Sequence, residues 1–535
     1  MAKLLLNDII KKMKIFKTIL QKRNFFMLGS FIAGFSLMAM ELTASRIVAP
    51  IIGNSIYTWT SIIGIVLLGL ATGAFIGGRM ADRYQNNILL PTVVLSSAIF
   101  VFIINILSRN ISWIFKLDNI TTTSIFLSIF LFFIPSFLIG NIQPIILKKY
   151  IYDFNKMGTG YGLLSTTWTM GSILGVFTTG FILISYLGSS EIIFFLSMLL
   201  AFLALLFSVI EKNKKITLCV IFFIFISKAF FLFNLNNKTG NNVVYETETR
   251  YYHAIVADFY FPQIGDARGL FLDTDLHSIE FENPNNHVFY TNIDPIFKIL
   301  NSKVSDILVI GGGAYTIPKN LSKTFLDSKV EVIEIDPIIK EIAKKYFNLN
   351  DYDIKTKIGD ARYIMNKGNN KKYDLIYGDA YSSFISVPGH LLTYEWNNQI
   401  KNNLNTDGIY ALNMISAISG DNSELFQSVF HTFKQTFENH IVLSFGRNLK
   451  EVQNVVIIGL NNNNQINIEN LRKNLIDLEH AELANLIIDL DNIILNNKVK
   501  ILTDNFYPTE KLMAATINNH FSRHYFFKKN IVLNN

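Results

Sequence analysis

The sequence predicts two successive folds in one chain: a multi-pass α-helical membrane bundle, then a small β-subdomain leading into a doubly wound α/β domain. Three observations predict this. Residues 25–235 are mostly Phe, Ile, Leu, Gly and Ser, whereas the sequence from about residue 236 onward is charged and rich in Asn. The apolar part divides into runs of about 20 residues, the length that crosses a bilayer as a helix. The polar part alternates short β-branched runs with amphipathic stretches, the order that builds a wound sheet.

Residues 1–24 form a basic N-terminal segment with seven Lys/Arg (Lys3, Lys11, Lys12, Lys14, Lys17, Lys22, Arg23), which supply much of the formal net charge of +7. Only 17% of the 535 residues are charged, and half are hydrophobic. Soluble domains carry roughly 25% charged residues, and the mean hydropathy here is +0.31. No basic patch is interleaved with aromatic residues, so a nucleic-acid partner is not expected. The single cysteine, Cys219, lies in an apolar segment and excludes a disulfide framework or a cysteine-based metal site; no metal is expected.

The membrane domain, 25–235, holds seven candidate spans, near 25–47, 58–78, 88–108, 122–147, 160–187, 190–210 and 216–234. Gly69, Gly73 and Gly77, and likewise Gly171 and Gly175, recur every fourth residue, a spacing that lets helix backbones approach closely. Glu41 and Arg46 lie within or at the end of the first span. Charge inside a membrane is expensive and has a partner or a task, so an ion pair and a polar ligand site are both open here. The turn "GGRMADR" (77–83) resembles a short basic loop of major-facilitator transporters. Basic residues follow spans two, four and six, and the positive-inside rule puts all of them in the cytoplasm. Seven spans would then leave the C-terminal half outside, unless one apolar run does not cross. The expected location is the plasma (inner) membrane, multi-pass, with the side of the soluble half open.

Residues 236–242, "NNKTGNN", read as a linker. The small β-subdomain, 243–300, is predicted by "VVYETETRYYHAIVADFYF" and "RGLFLDTDLHSIEF", aromatic and β-branched runs broken by turn residues. In 301–535, "DILVIGG", "KVEVIEID", "YDLIYGD" and "GIYALNMI" read as strands of a parallel sheet. "AYTIPKNLSKTF" and "PIIKEIAKKYF" read as helices, and "DIKTKIGDARYIM" as a short strand and a turn. Ligands of such sheets bind beyond the carboxyl ends of the strands, and the polar motifs fall there. Gly311, Gly312 and Gly313 follow the first strand and permit close approach of a ligand. Glu334 and Asp336 end the second, at the distance from the glycines where a carboxylate grips a ribose diol. The absence of a lysine in the glycine turn excludes a kinase-type phosphate loop. Asp360 and Ala361 follow the third strand, where a carboxylate can accept an adenine amino hydrogen, and Asp379 ends the fourth, facing the ligand.

In this order the motifs "ILVIGGGAYTIPKNL", "VEVIEIDP", "IGDARYIM" and "YDLIYGDAYSSFISVPGHLLTYEW" resemble the polyamine aminopropyltransferase (spermidine synthase) family. The similarity is closer to its bacterial membrane-fused members, whose N-terminal bundle is like half of a transporter. The resemblance implies a small β-domain plus a Rossmann-like domain of the S-adenosylmethionine-methyltransferase type. It implies that Glu334 binds the ribose of decarboxylated S-adenosylmethionine, that Asp360 and Ala361 contact its adenine, and that Gly311–Gly313 line its methionine-derived tail. Asp379 then corresponds to the proton acceptor for the attacking amine. The donor is a co-substrate and no tightly bound cofactor is expected.

The sequence also departs from the family. Ala314 stands where an acid usually holds the aminopropyl amine, and Ser382 where a second Asp serves the acceptor site. A Gln of the β-domain is replaced, with His253 and His277 near the expected places. His390 and Asp504 are further candidates for amine binding, each with a structural role as the alternative. The reading is a membrane-anchored aminopropyltransferase acting on a small-molecule amine, with the bilayer as partner and a homodimer left open. Two alternatives stand beside it: an S-adenosylmethionine-dependent methyltransferase, and a non-catalytic nucleoside- or polyamine-binding sensor or transporter-like protein.

Overall fold

The computed structural model describes the chain except residues 1, 85, 111–119, 152–156, 236–241, 262–263, 274, 284–285, 287–288, 368–370, 381–387, 463–465, 490–498, 515 and 517–535, and describes 2–22, 51, 109–110, 233–235 and 289 by backbone only. Most of the 236–242 linker, and Ser382, therefore lie outside the described residues. The chain forms two compact units, Met1–Lys238 and Thr239–Asn535.

Among the described residues of the first unit, seven helices are long and apolar enough to cross a membrane: Arg23–Pro50, Ile56–Arg83, Leu89–Ser108, Ile120–Tyr150, Met157–Tyr186, Ser189–Ile210 and Lys214–Leu232. They pack chiefly in pairs, first on fifth, second on fourth and third on sixth. Small residues make two of these seams. A side chain at Gly73 would begin 2.2 Å from the Phe137 carbonyl oxygen, and one at Gly171 would begin 2.1 Å from that of Phe31. Only glycine admits such contact between backbones. The fourth and fifth helices each contain a π-helical turn, Ile129–Phe133 and Thr179–Leu183.

The charged ends of several helices meet. Lys148 pairs with Asp82 at 2.8 Å and Lys149 with Glu211 at 2.9 Å, while Arg23 donates to the Tyr150 hydroxyl at 2.9 Å. The start of the first helix and the ends of the second, fourth and sixth thus lie on one side of the bundle. The seventh runs back along the sixth. Ser208 and Thr217 share a hydrogen bond of 3.0 Å at one end of this pair, and Phe194 and Phe231 stack 4.2 Å apart at the other.

The second unit begins with β1 (Val243–Glu248), β2 (His253–Phe261), β3 (Gly265–Leu272) and β4 (Asp275–Phe281), an antiparallel sheet in that spatial order. Alternate residues Ile255, Ala257 and Phe259 of β2 pack with Ala267 and Phe271 of β3 in one cluster. Ala254, Val256 and Leu270 join Ile339, Ile342 and Phe347 in another. The small sheet is thereby clamped onto the helix Pro337–Tyr346 of the larger domain.

The larger sheet contains β5 (Asp306–Ile310), β6 (Lys329–Glu334), β7 (Ile354–Ile358), β8 (Tyr373–Gly378), β9 (Leu404–Ser416), β10 (His440–Ser444) and β11 (Gln453–Leu460). Its order is β10-β11-β9-β8-β5-β6-β7. Strands β5 to β9 are parallel, and Ile307–Ile310 of β5 are all buried, as a strand covered on both faces requires. The sheet departs from the predicted parallel one at its edge, where β9, β11 and β10 pair antiparallel. The connection from Ser444 to Gln453 is too short for the crossover that a parallel pair needs. After β7 a helix, Ala361–Asn366, replaces the expected turn, because the Asp360 side chain caps it by accepting from the Tyr363 N–H at 2.8 Å.

Candidate active site

The carboxyl ends of β5, β6, β7 and β8 open into a cavity of about 620 Å³, roofed by the β3–β4 hairpin of the small sheet. Glycine shapes its floor. Gly311 has φ +96°, and a side chain there would begin 2.4 Å from the Asp379 carbonyl oxygen. The Gly311 N–H donates to Ile333 O at 2.9 Å and the Asp379 N–H to Ile310 O at 2.8 Å, so the ends of β5, β6 and β8 are tied together. Gly313 has φ +50° and lies against Ser278, whose hydroxyl accepts from the Ala314 N–H at 3.0 Å.

Glu334 is 6% exposed. Its Oε2 accepts from the Gly312 N–H at 2.7 Å and its Oε1 from the Asp336 N–H at 2.9 Å. Burial pushes this carboxyl above its ordinary value, and the two amides oppose the rise. One carboxylate therefore fixes the glycine turn while each oxygen keeps a lone pair for a ligand. Asp336 caps the next helix, its Oδ1 accepting from the Ile338 N–H at 2.9 Å.

Asp360 and Ala361 line the same cavity. Asp360 Oδ1 is the helix cap and its Oδ2 lies 3.1 Å from His390 Nε2, so His390 stands in the wall as the partner of Asp360. Asp379 lies at the end of β8, where the Asn413 amide donates to its Oδ1 at 2.7 Å. Burial raises the Asp379 carboxyl to about 7, with the Asn413 hydrogen bond acting the other way. The neighbouring Tyr290 hydroxyl is pushed up by burial and by the charge of Asp379. A carboxylate balanced near neutrality at a cavity wall is suited to accept a proton.

The other candidates separate. His277, on β4, lines the cavity, and its Nε2 is buried with no hydrogen-bond partner among the described residues. Burial lowers its pKa, against the pull of Asp275, so the ring is neutral. His253 lies outside the cavity wall, 2.9 Å from Glu246 Oε1 across the β1–β2 pair. Asp504 is also outside the wall. It takes a two-pronged bond from Arg362 and a 2.8 Å bond from Thr393, and Arg362 holds its carboxyl below the ordinary range. Through Arg362, which also donates to His390 O at 2.9 Å, Asp504 braces the wall from behind. Sequence reasoning missed Ser278, Asn413 and Tyr290. Of these, Asn413 left a trace: a lone amide inside the apolar strand "GIYALNMI".

A family model described as "Spermine/spermidine synthase domain" matches residues 292–459. A polyamine aminopropyltransferase of Vibrio vulnificus is 30% identical over 225 residues, 40% of this chain and 72% of that protein. A polyamine aminopropyltransferase 2 of Aquifex aeolicus is 21% identical over 426 residues, 76% of this chain and 81% of its own length. That stretch is longer than the whole second unit, so it runs into the apolar helices. A crystal structure of a spermidine synthase with the transition-state analogue AdoDATO is 17% identical, covers 54% of this chain and 88% of that one, and superposes with a TM-score of 0.35.

Proposed function

This chain belongs to the spermidine synthase family of polyamine aminopropyltransferases, and from that premise we propose that it transfers an aminopropyl group from decarboxylated S-adenosylmethionine to an amine while anchored in a membrane by its first unit. It is a transferase, with a Rossmann-like domain of the methyltransferase type. One observation carries the assignment of roles: Asp379, held near neutrality by burial, shares a cavity with Glu334 and Asp360. Glu334 binds the ribose hydroxyls with the lone pairs that the glycine turn leaves over. Asp360 and Ala361 meet the adenine, and Gly311–Gly313 let the sulfonium end approach the sheet. His277 is a neighbour of the amine and His390 supports Asp360, while Ser382, which the family resemblance puts in the acceptor site, lies outside the described residues.

The amine must be neutral to attack. Its nitrogen forms a bond to the carbon beside the sulfonium, the carbon–sulfur bond breaks, and methylthioadenosine leaves as a neutral thioether. The proton released from the new secondary ammonium goes to Asp379. The sulfonium is already a good leaving group, so alignment and proton acceptance are what the protein supplies.

Ala314 favours keeping methyl transfer as the second reading, because this buried position offers no acid to a donor's terminal ammonium. Calorimetric titration of the full chain in nanodiscs with S-adenosylmethionine and its decarboxylated form separates the two. Tighter binding of the decarboxylated donor and turnover with a diamine are expected; preference for the carboxylated donor would overturn aminopropyl transfer. Asp379→Asn is expected to keep donor affinity within about threefold while turnover falls about 10²–10⁴-fold, the range of general-base loss.

A further inference from the structure

The membrane unit holds a carboxylate that the transferase chemistry does not use. Glu41 lies 18 residues into the first span, roughly 27 Å from Arg23 along a helix rising about 1.5 Å per residue. Among the described spans it is the one acid in an interior position: Asp82 and Glu191 sit at helix ends, and Glu211 follows one. Glu41 Oε2 is shielded and has no hydrogen-bond partner, and Glu41 enters no ion pair among the described residues. Arg46 does not answer it; one of its nitrogens donates to Ile184 O at 3.3 Å.

The packing of the first and fifth spans fixes the register around Glu41. The two run parallel, Gly171 against Phe31 and Gly175 against Phe35, and a side chain at Gly34 would begin 3.0 Å from Ser172 Oγ. Seven residues return a helix to nearly the same face. One such step takes Gly34 to Glu41 and Ser172 to Thr179, so helix geometry puts Thr179 and Glu41 at one level on the facing sides of the seam. Thr179 is fully buried, and its Oγ1 also lacks a partner. It opens the π-helical turn Thr179–Leu183, an irregularity that widens a helix, disturbs its hydrogen-bond ladder and recurs at functional sites.

We propose that Glu41 and Thr179 form a binding site for a monovalent cation inside the membrane unit, either an alkali-metal ion or the protonated end of an alkylamine. The donors explain the class. One carboxylate and one hydroxyl are hard oxygen ligands with a single negative charge, too little for a divalent ion held by protein alone. The site rests on the reading of these helices as spans and is independent of the transferase reading.

The test is protection of Glu41 from dicyclohexylcarbodiimide in the full chain in nanodiscs, read by mass spectrometry of the Glu41 peptide. Sodium chloride or propylammonium chloride replaces choline chloride at constant ionic strength, and Glu41→Gln identifies the labelled peptide. Labelling is expected to slow at least tenfold as one of the two salts replaces choline. Thr179→Val should raise the concentration needed about tenfold, the loss of one ligand oxygen. Protection by sodium identifies an alkali-ion site, and protection by propylammonium alone identifies an amine site. Equal labelling in all three salts, or a Glu41 that the reagent never reaches, overturns the proposal.

Discussion

Asp379 carries a pH signature that needs no substrate to observe. Its carboxyl ionises near 3.9 in an unfolded chain and is raised to about 7 in the folded one. Between these values the native state holds a proton that the unfolded state has lost, so stability falls as pH rises through this window and is flat above it. The full span corresponds to about 4 kcal/mol, an upper figure for one group. Asp379→Asn removes this term. The variant should therefore gain stability relative to the parent between pH 4 and pH 7 in chemical unfolding of the full chain; a constant difference across that range would place the carboxyl at an ordinary pKa. In the parent, kcat should rise with pH through about 7 as the acceptor carboxylate forms. The residues that make this site were unequally legible. Gly311, Glu334, Asp360 and Asp379 could be found because each ends a strand of an alternating pattern, and such ends converge by topology. Ser278 and Asn413 could not. Ser278 arrives from the small sheet and Asn413 from β9, and both meet the site only through pairings distant in sequence. His253 and His277 looked alike in the sequence, and it is strand placement that puts one against Glu246 and the other in the cavity wall.

At the level of elements, the second and fourth spans form a seam that tolerates no side chain. Gly73→Ala would drive a methyl group to 2.2 Å from Phe137 O, whereas Gly64 on the same helix has nothing within 4 Å of that position. Gly73→Ala should cost about 1–3 kcal/mol, as overpacking does, and Gly64→Ala should be neutral or slightly stabilising. Thermal unfolding of the two variants in one detergent compares them; equal midpoints would mean that the seam does not hold the bundle. The fourth-residue spacing of these glycines was plain in the sequence, but not which helix each one met. The antiparallel β10–β11 edge was also illegible, because a short apolar run records burial and not strand direction. The helix Ala361–Asn366 is hidden for another reason: its start depends on Asp360 acting as a cap, and the strand end before it marks Asp360 only as a ligand contact.

At the scale of the whole molecule, the seven apolar helices have one charged rim, where Arg23, Asp82, Lys148, Lys149 and Glu211 meet. The positive-inside rule assigns that rim to the cytoplasm. The seventh helix starts at the same rim and runs back along the sixth until Phe231 reaches Phe194. If all seven of these helices cross, their odd number puts its far end at the other face. Tyr260, 65% exposed on β2, offers a probe of this. A chain carrying Cys219→Ser and Tyr260→Cys should react with an impermeant maleimide in intact spheroplasts, and reaction only after lysis would mean that one helix fails to cross. The seventh helix then acquires a directional meaning. If it crosses, one stretch of 19 residues, Lys214–Leu232, decides at which face the chain emerges, and losing it would return that end to the charged rim.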